Sequence, residues 1–230
     1  MTLSVTQSFR DGLQKLASPN GVTVLGVFFF LQLANAAFLG SIRSETMGVW
    51  DWLRLTPAAV SMDLPLLVAG AGAVVSLAAT FAVTVVSFRV FVSTEENRIP
   101  AELYRQDLLM PAVWLGITGL VYAVLVMLGS LLLVLPGLYL LAAFGLYGVV
   151  IANEDVGIGG ALRRSWELTD GHRLRVFVVF FLLAVLNLGL QFAGGWFGLQ
   201  ATAVFLSVLG SVTGFAVIGA VYRQARGDDA

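Results

Sequence analysis

The sequence predicts an all-α polytopic membrane protein, in which six transmembrane helices are joined on the cytoplasmic side by amphipathic interfacial helices. The first basis is composition: 58% of the residues are hydrophobic and 12% are charged, with a mean hydropathy of +0.90. A soluble domain needs more polar surface than this. The second basis is length, because apolar runs of about twenty residues recur and each can cross a hydrocarbon core about 30 Å thick.

Six spans follow from the apolar runs and from the residues that separate them. The third and fourth spans share an uncharged stretch, so the turn between them has to be assigned. We assign it to Pro136-Gly137, because proline interrupts a helix and glycine accepts positive φ; Gly129-Ser130 is the alternative. The predicted spans are residues 22–39, 64–92, 110–135, 137–152, 174–193 and 199–222.

The basic residues are divided unevenly between the two sides of the membrane. With six spans, eleven arginines and lysines fall on the side that holds both termini, and only Arg43 and Arg54 fall on the other. The positive-inside rule then places both termini in the cytoplasm and the protein in the cell membrane. A cleaved signal peptide ending near residues 34–36 is the alternative for the first span, and Asp11 in its leader argues against cleavage.

Two cytoplasmic segments, residues 1–20 and residues 157–171, have one apolar and one charged face. In the second segment Arg163 lies opposite the apolar arc. The residues of the two apolar arcs are Val5, Phe9, Leu13 and Leu16 in the first segment and Ile158, Ala161, Leu162, Ser165, Trp166, Leu168 and Thr169 in the second. We expect both segments to lie in the headgroup plane, with their apolar faces toward the acyl chains. A weaker amphipathic stretch precedes the third span, which gives the hypothesis that the chain is three copies of an amphipathic segment followed by a helical hairpin.

Basic and aromatic residues of the 157–171 segment and of the start of the fifth span are the predicted contacts for lipid head groups or for a partner protein. Each arginine near an anionic surface contributes about 1 kcal/mol, and tryptophan favours the interface. The residues expected to make these contacts are Arg163, Arg164, Trp166, Arg173 and Arg175.

The polar groups expected deep in the membrane are amides, Gln32 and Asn35 in the first span and Asn187 and Gln191 in the fifth. No ionisable residue is expected inside a span, with Arg89 counted in the second loop and Arg175 in the fourth, and this argues against ion-coupled transport. The amides either line a polar site or form hydrogen bonds between helices, each worth about 0.6 kcal/mol.

The composition also limits the chemistry of the protein. The chain has no cysteine and a single histidine, so thiolate and histidine-rich metal sites are excluded. Its net charge of −1 gives no basic field for nucleic acid. We find no nucleophile with its base and no phosphate-binding loop, and an intramembrane enzyme would need an acidic cluster near Glu95 and Glu154. We therefore expect a non-enzymatic protein without cofactor or metal, whose partners are anionic lipids or another membrane or cytoplasmic protein.

One stretch of the chain resembles a known family. The run LPGLYLLAAFGLYGVVIANEDVGIGGALRRSWELTDGHRLRVF, residues 135–177, is similar to the membrane domain that is fused to some glycerophosphoryl diester phosphodiesterases or stands alone as a six-span protein. Family members often carry a proline where Gly159 stands. The matching features are Pro136-Gly137, the acidic pair Glu154-Asp155, Ala161-Leu162, the segment 164–168 and Gly171.

The resemblance implies a six-span membrane module and supplies no catalytic residues, because the diesterase chemistry of fused members belongs to a separate soluble domain. We expect a scaffold or a lipid-associated accessory protein that acts through its cytoplasmic amphipathic helices. The alternative is a passive channel or transporter with a polar pathway at the amides of spans one and five.

Overall fold

The computed structural model describes residues 3–45, 64–93, 100, 107–132, 134–196 and 200–227. Helices are the only regular structure in this part of the chain. They are α1 (Val5–Ala17), α2 (Pro19–Glu45), α3 (Leu66–Val92), α4 (Leu109–Leu132), α5 (Val134–Phe144), α6 (Tyr147–Glu154), α7 (Ile158–Thr169), α8 (Arg173–Trp196) and α9 (Gln200–Arg226).

Six helical stretches are long and apolar enough to cross a membrane, which confirms the predicted number of spans within the described residues. Each stretch overlaps one predicted span. The fourth is formed by α5 and α6 together, whereas each of the others lies within a single helix. The stretches are Pro19–Ile42, Leu66–Val92, Leu109–Leu131, Pro136–Glu154, Arg173–Gly194 and Ala201–Arg226.

The turn between the third and fourth spans precedes Pro136-Gly137, so the assignment of the turn to this dipeptide is wrong. α4 ends at Leu132 and α5 begins at Val134, which places Pro136 in the first turn of α5, where its missing N–H removes no helical hydrogen bond. The glycines of the two proposed dipeptides meet across the hairpin instead: a Cβ added to Gly129 would lie 3.1 Å from the Cα of Gly137.

The fourth span is interrupted, whereas the sequence predicts one continuous helix over residues 137–152. α5 ends at Phe144 and α6 begins at Tyr147, with a turn at Gly145 and Leu146 between them. Gly145 has no side chain and the ring of Phe180 in α8 occupies the place where a Cβ would stand. The close approach of α8 therefore requires glycine here, and the helical hydrogen-bond ladder is broken beside it.

The main buried cluster lies toward the end of the bundle that carries both termini. It includes Leu3 before the first helix, Tyr222 near the end of α9 and Ile151 of α6. By contrast, Leu67 is 88% exposed and Trp196 is 90% exposed. Apolar side chains exposed in this number are unfavourable in water and are what a lipid-facing surface requires.

The hypothesis of three repeated units stays a prediction. α1 precedes the hairpin of α2 and α3, and α7 precedes the hairpin of α8 and α9, as the hypothesis requires. Most of the segment that would precede the middle hairpin, residues 94–99 and 101–106, lies outside the described residues.

Candidate functional site

One end of the bundle carries a network of charged and polar side chains, which we call the polar end and define by Lys15, Arg89, Glu154, Arg175 and Arg223. Each of these side chains contacts a different helix or segment from its own, through a backbone carbonyl or an acidic or hydroxyl group. The network joins the ends of the chain, because the Ser4 N–H donates to Oε1 of Gln224 at 3.1 Å.

Helix α7 lies across the polar end with one side buried against the bundle. Its buried residues are Ala161, Ser165, Leu168 and Thr169. All four belong to the apolar arc that we expect, from the sequence, to face acyl chains. For these residues that expectation is wrong, because protein covers them. Protein covers this part of the predicted apolar face, because the helix packs against the interrupted fourth span.

Ser165 explains why α7 docks at this place. Its hydroxyl donates to the carbonyl of Ala143 at 3.0 Å and accepts from the N–H of Leu146 at 3.2 Å. These backbone groups flank the turn at Gly145 and Leu146, where the helix itself does not pair them. The Thr169 hydroxyl lies 3.2 Å from the same Ala143 carbonyl, which is one of three carbonyls within reach of its single proton. Side chains of α7 therefore supply the hydrogen bonds that the interrupted span lacks.

Arg173 of α8 makes cation–π contacts with Trp166 of α7 and Tyr139 of α5, and so links the three helices. The guanidinium carbon of Arg173 lies 4.1 Å from the ring centre of Trp166 and 5.0 Å from that of Tyr139, so the cation lies close to both rings. Asp170 adds an ion pair with Arg173 at 3.3 Å. These two predicted contact residues are thus brought together, and each already has partners within the chain.

The other predicted contact residues differ in how far they face outward. Arg163 has an 83% exposed side chain and a 3.0 Å ion pair with Glu167 on the same helix. Arg164 is less exposed and pairs with Glu154 of α6 at 3.3 Å. Arg175 donates to the carbonyl of Leu3 at 3.1 Å. Arg163 is therefore the most available of the five to a head group.

Helix α1 is attached to the polar end through small residues. Ser8 and Gly12 are buried, and a Cβ added to Gly12 would lie 2.8 Å from Cγ2 of Val217 in α9. Lys15 donates to the carbonyl of Ser93 at the end of α3. Leu13 lies on the predicted apolar arc and is 50% exposed, so part of this face is left uncovered by protein.

Arg89 is a buried cation that the sequence analysis missed. It lies in the last turn of α3, with 4% of its side chain exposed, so the prediction that the spans contain no ionisable residue is wrong at this position. Its Nε donates to the Ala152 carbonyl at 2.7 Å and its Nη2 lies 3.4 Å from Oδ1 of Asp155. The available signal is a cation in the last turn of an apolar run, and the charge pattern alone assigns it to the adjoining loop.

A cavity of about 430 Å³ adjoins Arg89 at the junction of α3, α4 and α6. Among the residues that the structure describes, the lining of this cavity combines one cation, two carboxylates and apolar side chains. These residues are Arg89, Asp107, Met110, Pro111, Trp114, Ile151, Asp155 and Val156.

The predicted amides of the first span form hydrogen bonds between helices. The amide nitrogen of Asn35 donates to the hydroxyl of Thr80 at 2.9 Å and to Oε1 of Gln32 at 3.2 Å. The Ser76 hydroxyl donates to Oδ1 of Asn35 at 2.5 Å. These bonds tie α2 to α3, and they support the interpretation of the amides as packing groups.

The amides of the fifth span lie on a different hairpin. Asn187 donates to the Leu183 carbonyl at 2.9 Å and reaches the Gly210 carbonyl of α9 at 3.5 Å. Gln191 is exposed and lines a shallow cavity with Phe192. The hydrogen-bond partners of Asn35 and Asn187 therefore belong to separate helix pairs, and the polar pathway of the channel alternative stays a prediction.

Some predicted features fall outside the part of the chain that the structure describes. Arg54 and Glu95 lie there, and only the backbone of Arg43 is described. Among the described residues, no three histidine, aspartate or glutamate side chains are grouped so as to hold a metal ion.

Comparison with known proteins gives one match. A family described as Domain of unknown function (DUF7847) matches residues 3–225. No curated protein matches the chain and no solved structure matches it. The match carries no link to the membrane domain of glycerophosphoryl diester phosphodiesterases, so that resemblance stays a prediction.

Proposed function

Because this chain belongs to the family described as Domain of unknown function (DUF7847), whose description states no activity, we propose its function from the geometry of the polar end. We propose a non-enzymatic module of the cell membrane, with both termini in the cytoplasm, that serves as a scaffold or lipid-associated accessory protein. Its working surface is the outward side of α7 together with the uncovered apolar side of α1.

The observation that carries this proposal is the placement of α7. Its buried side is fixed to the interrupted fourth span by Ser165, so its opposite side is held outward at the end of the bundle. That side presents Arg163, with an 83% exposed side chain, and Trp166, which is 37% exposed. An outward-facing arginine near a partly exposed tryptophan suits contact with anionic head groups.

The experiment measures binding of phosphatidylglycerol by the purified full-length protein in detergent, using native mass spectrometry over a lipid titration. We expect the Arg163→Gln/Arg164→Gln variant to bind more weakly, because about 1 kcal/mol per arginine corresponds to roughly fivefold in affinity for each residue. The loss should shrink at high salt, since exposed charges are screened.

Glu167→Gln is the matched control of opposite sign. It removes the carboxylate that pairs with Arg163 at 3.0 Å and with Arg164 at 3.6 Å, so the affinity for phosphatidylglycerol should rise. Unchanged affinity in both the arginine variant and the Glu167 variant, with both proteins folded, would refute contact between α7 and lipid.

A further inference from the structure

The cavity beside Arg89 has the size and the polarity of a binding site for a small polar group with an apolar extension. Its volume of about 430 Å³ falls in the range of about 300 to 1,000 Å³ that ligand pockets occupy. It lies at the polar end of the bundle, next to the last turn of α3 and the first turns of α4. A ligand there would lie where head groups meet the hydrocarbon region.

Arg89 brings a buried guanidinium to the cavity, where it pairs with Asp155 at 3.4 Å. Only 4% of the Arg89 side chain is exposed. The 2.7 Å hydrogen bond from Nε to the Ala152 carbonyl fixes the orientation of the guanidinium plane. A guanidinium has five N–H donors in a planar fork that matches two oxygens of a phosphate. Because the guanidinium is buried, such a pair is stronger there than on an open surface.

Two carboxylates face the same cavity from its outer side. Asp155 has a 72% exposed side chain, and its backbone is left-handed, with φ of 48°, as α6 ends. Asp107 is exposed and accepts from the N–H of Leu109 at 3.1 Å, which fixes it at the start of α4. A carboxylate has about four acceptor positions, so each can receive further donors from a ligand.

The inner walls are apolar. Ile151 is fully buried, Trp114 is half-buried, and Met110 is 56% exposed at the edge of the cavity. Trp114 lies about one and a half helical turns into α4, so the apolar part of the cavity extends from the polar end into the span. From the surface inward, the cavity is therefore lined first by the carboxylates, then by the guanidinium and then by apolar side chains.

We propose that this cavity binds the phosphodiester head group of a membrane lipid whose terminal group donates hydrogen bonds, either an ammonium or a hydroxyl. The phosphate lies at Arg89 and the terminal donors lie at Asp107 and Asp155. The first part of the acyl region lies along Met110 and Trp114. The site is separate from the outward side of α7 and does not depend on the function proposed for it.

The test compares three lipids with the same acyl chains: phosphatidylethanolamine and phosphatidylglycerol, which carry terminal donors, and phosphatidylcholine, which carries none. The purified full-length protein is exposed to an equimolar mixture and its bound lipids are counted by native mass spectrometry. We expect the two donor-bearing lipids to be retained at least about fivefold over phosphatidylcholine, which corresponds to about 1 kcal/mol.

Substitutions on the carboxylates test the assignment directly. Asp107→Asn/Asp155→Asn keeps the size of both side chains and removes their charge, so the preference over phosphatidylcholine should fall toward onefold. Asp170→Asn is the matched control, because that carboxylate is also exposed, at 74%, but does not line the cavity. The control should keep the preference. The Arg163→Gln/Arg164→Gln variant should keep the preference for phosphatidylethanolamine over phosphatidylcholine, whereas its binding of phosphatidylglycerol falls because of the loss at α7.

Arg89→Lys keeps the charge and loses the planar fork, and Arg89→Gln loses both. We expect all three lipids to be retained less by Arg89→Gln, by tenfold or more, with Arg89→Lys in between. Thermal unfolding in detergent shows whether each variant is folded. If Arg89→Gln does not fold, the Asp107→Asn substitution alone decides, because Asp155 also pairs with the buried Arg89.

Two results would overturn the proposal. The first is equal retention of the three lipids by the unchanged protein, or a preference that persists in the Asp107→Asn/Asp155→Asn variant. The second concerns the source of the head group: if soluble glycerophosphoethanolamine displaces the lipid at equal concentration, the cavity recognises a soluble phosphodiester and the assignment to a membrane lipid is wrong.

Discussion

At the scale of single residues, the hydroxyl of Ser165 stabilises the interruption of the fourth span. It donates to the Ala143 carbonyl and accepts from the Leu146 N–H, so one side chain satisfies both backbone groups beside the interruption of the fourth span. A backbone group left unpaired in apolar surroundings costs about 1 to 3 kcal/mol, which is more than a surface hydrogen bond contributes.

We expect Ser165→Ala to lower the free energy of unfolding by about 1 to 3 kcal/mol, because Thr169 can still serve the Ala143 carbonyl but the Leu146 N–H loses its acceptor. Equilibrium unfolding in mixed detergent micelles measures the loss. Ser211→Ala is the control, since the Ser211 hydroxyl only donates to a carbonyl of its own helix. Equal effects of the two substitutions would contradict the bridging role.

The GxxxG motif of α9 consists of Gly210 and Gly214, and a neighbouring helix approaches the Cβ position of Gly210 but not that of Gly214. A Cβ added to Gly210 would overlap the side-chain oxygen of Asn187 and lie 3.0 Å from its Cγ, whereas a Cβ on Gly214 has no such neighbour within 4 Å. We expect Gly210→Ala to destabilise the protein by about 1 to 3 kcal/mol through overpacking. Gly214→Ala should be neutral or slightly stabilising, since alanine favours the helix.

The comparison of thermal unfolding for the two glycine variants checks this prediction. A reversed order, with Gly214→Ala the more damaging, would mean that α9 contacts a neighbour through Gly214, for example a second copy of the chain.

At the scale of helices, the sequence predicts which segments are amphipathic but not what covers their apolar faces. The arc that contains Leu168 and Trp166 reads the same whether a membrane or a protein lies beneath it. The deciding feature is the turn at Gly145, which depends on the approach of Phe180 from a helix distant in sequence. No local pattern carries that information.

The docking of α1 is a second case. Its contact with α9 runs through Ser8 and Gly12, at the edge of the predicted apolar arc, because small residues let two backbones approach. We expect Gly12→Val to displace α1, since its side chain would overlap the backbone of Val217. Gly26→Val, with open space at its Cβ, is the matched control.

Limited trypsin digestion of the detergent-purified protein measures the displacement. Cleavage after Arg10 and Lys15 should be several times faster in Gly12→Val than in Gly26→Val or the unchanged chain. Equal rates would mean that α1 is retained by its other contacts, such as the bond from Ser4 to Gln224.

At the scale of the whole molecule, the six spans were predictable because the thickness of the bilayer fixes the length of each apolar run. The candidate site was predictable only in part. Arg163 faces outward as expected, but Arg89 lies in a cavity whose lining residues are up to sixty-seven positions apart in the sequence. Its burial results from tertiary packing, and the charge pattern alone assigns it to a loop.

The absence of cysteine from the sequence allows a direct test of orientation. We expect Gln7→Cys and Asp170→Cys, both exposed at the polar end, to react with an impermeant maleimide only in inside-out vesicles, since the positive-inside rule places that end in the cytoplasm. Trp196→Cys, exposed at the opposite end, should show the reverse pattern. Labelling of residues 7 and 170 in right-side-out vesicles would invert the topology.

The dependence of the fourth span on Ser165 also sets an order of events during synthesis. When that span leaves the ribosome, the residue that completes its backbone pairing is still about twenty positions from being made. Nascent chains stopped before residue 165 should therefore hold this segment less firmly in the bilayer than chains stopped after residue 172. Until α7 has been synthesised, the fourth span therefore enters the membrane with incompletely paired backbone groups.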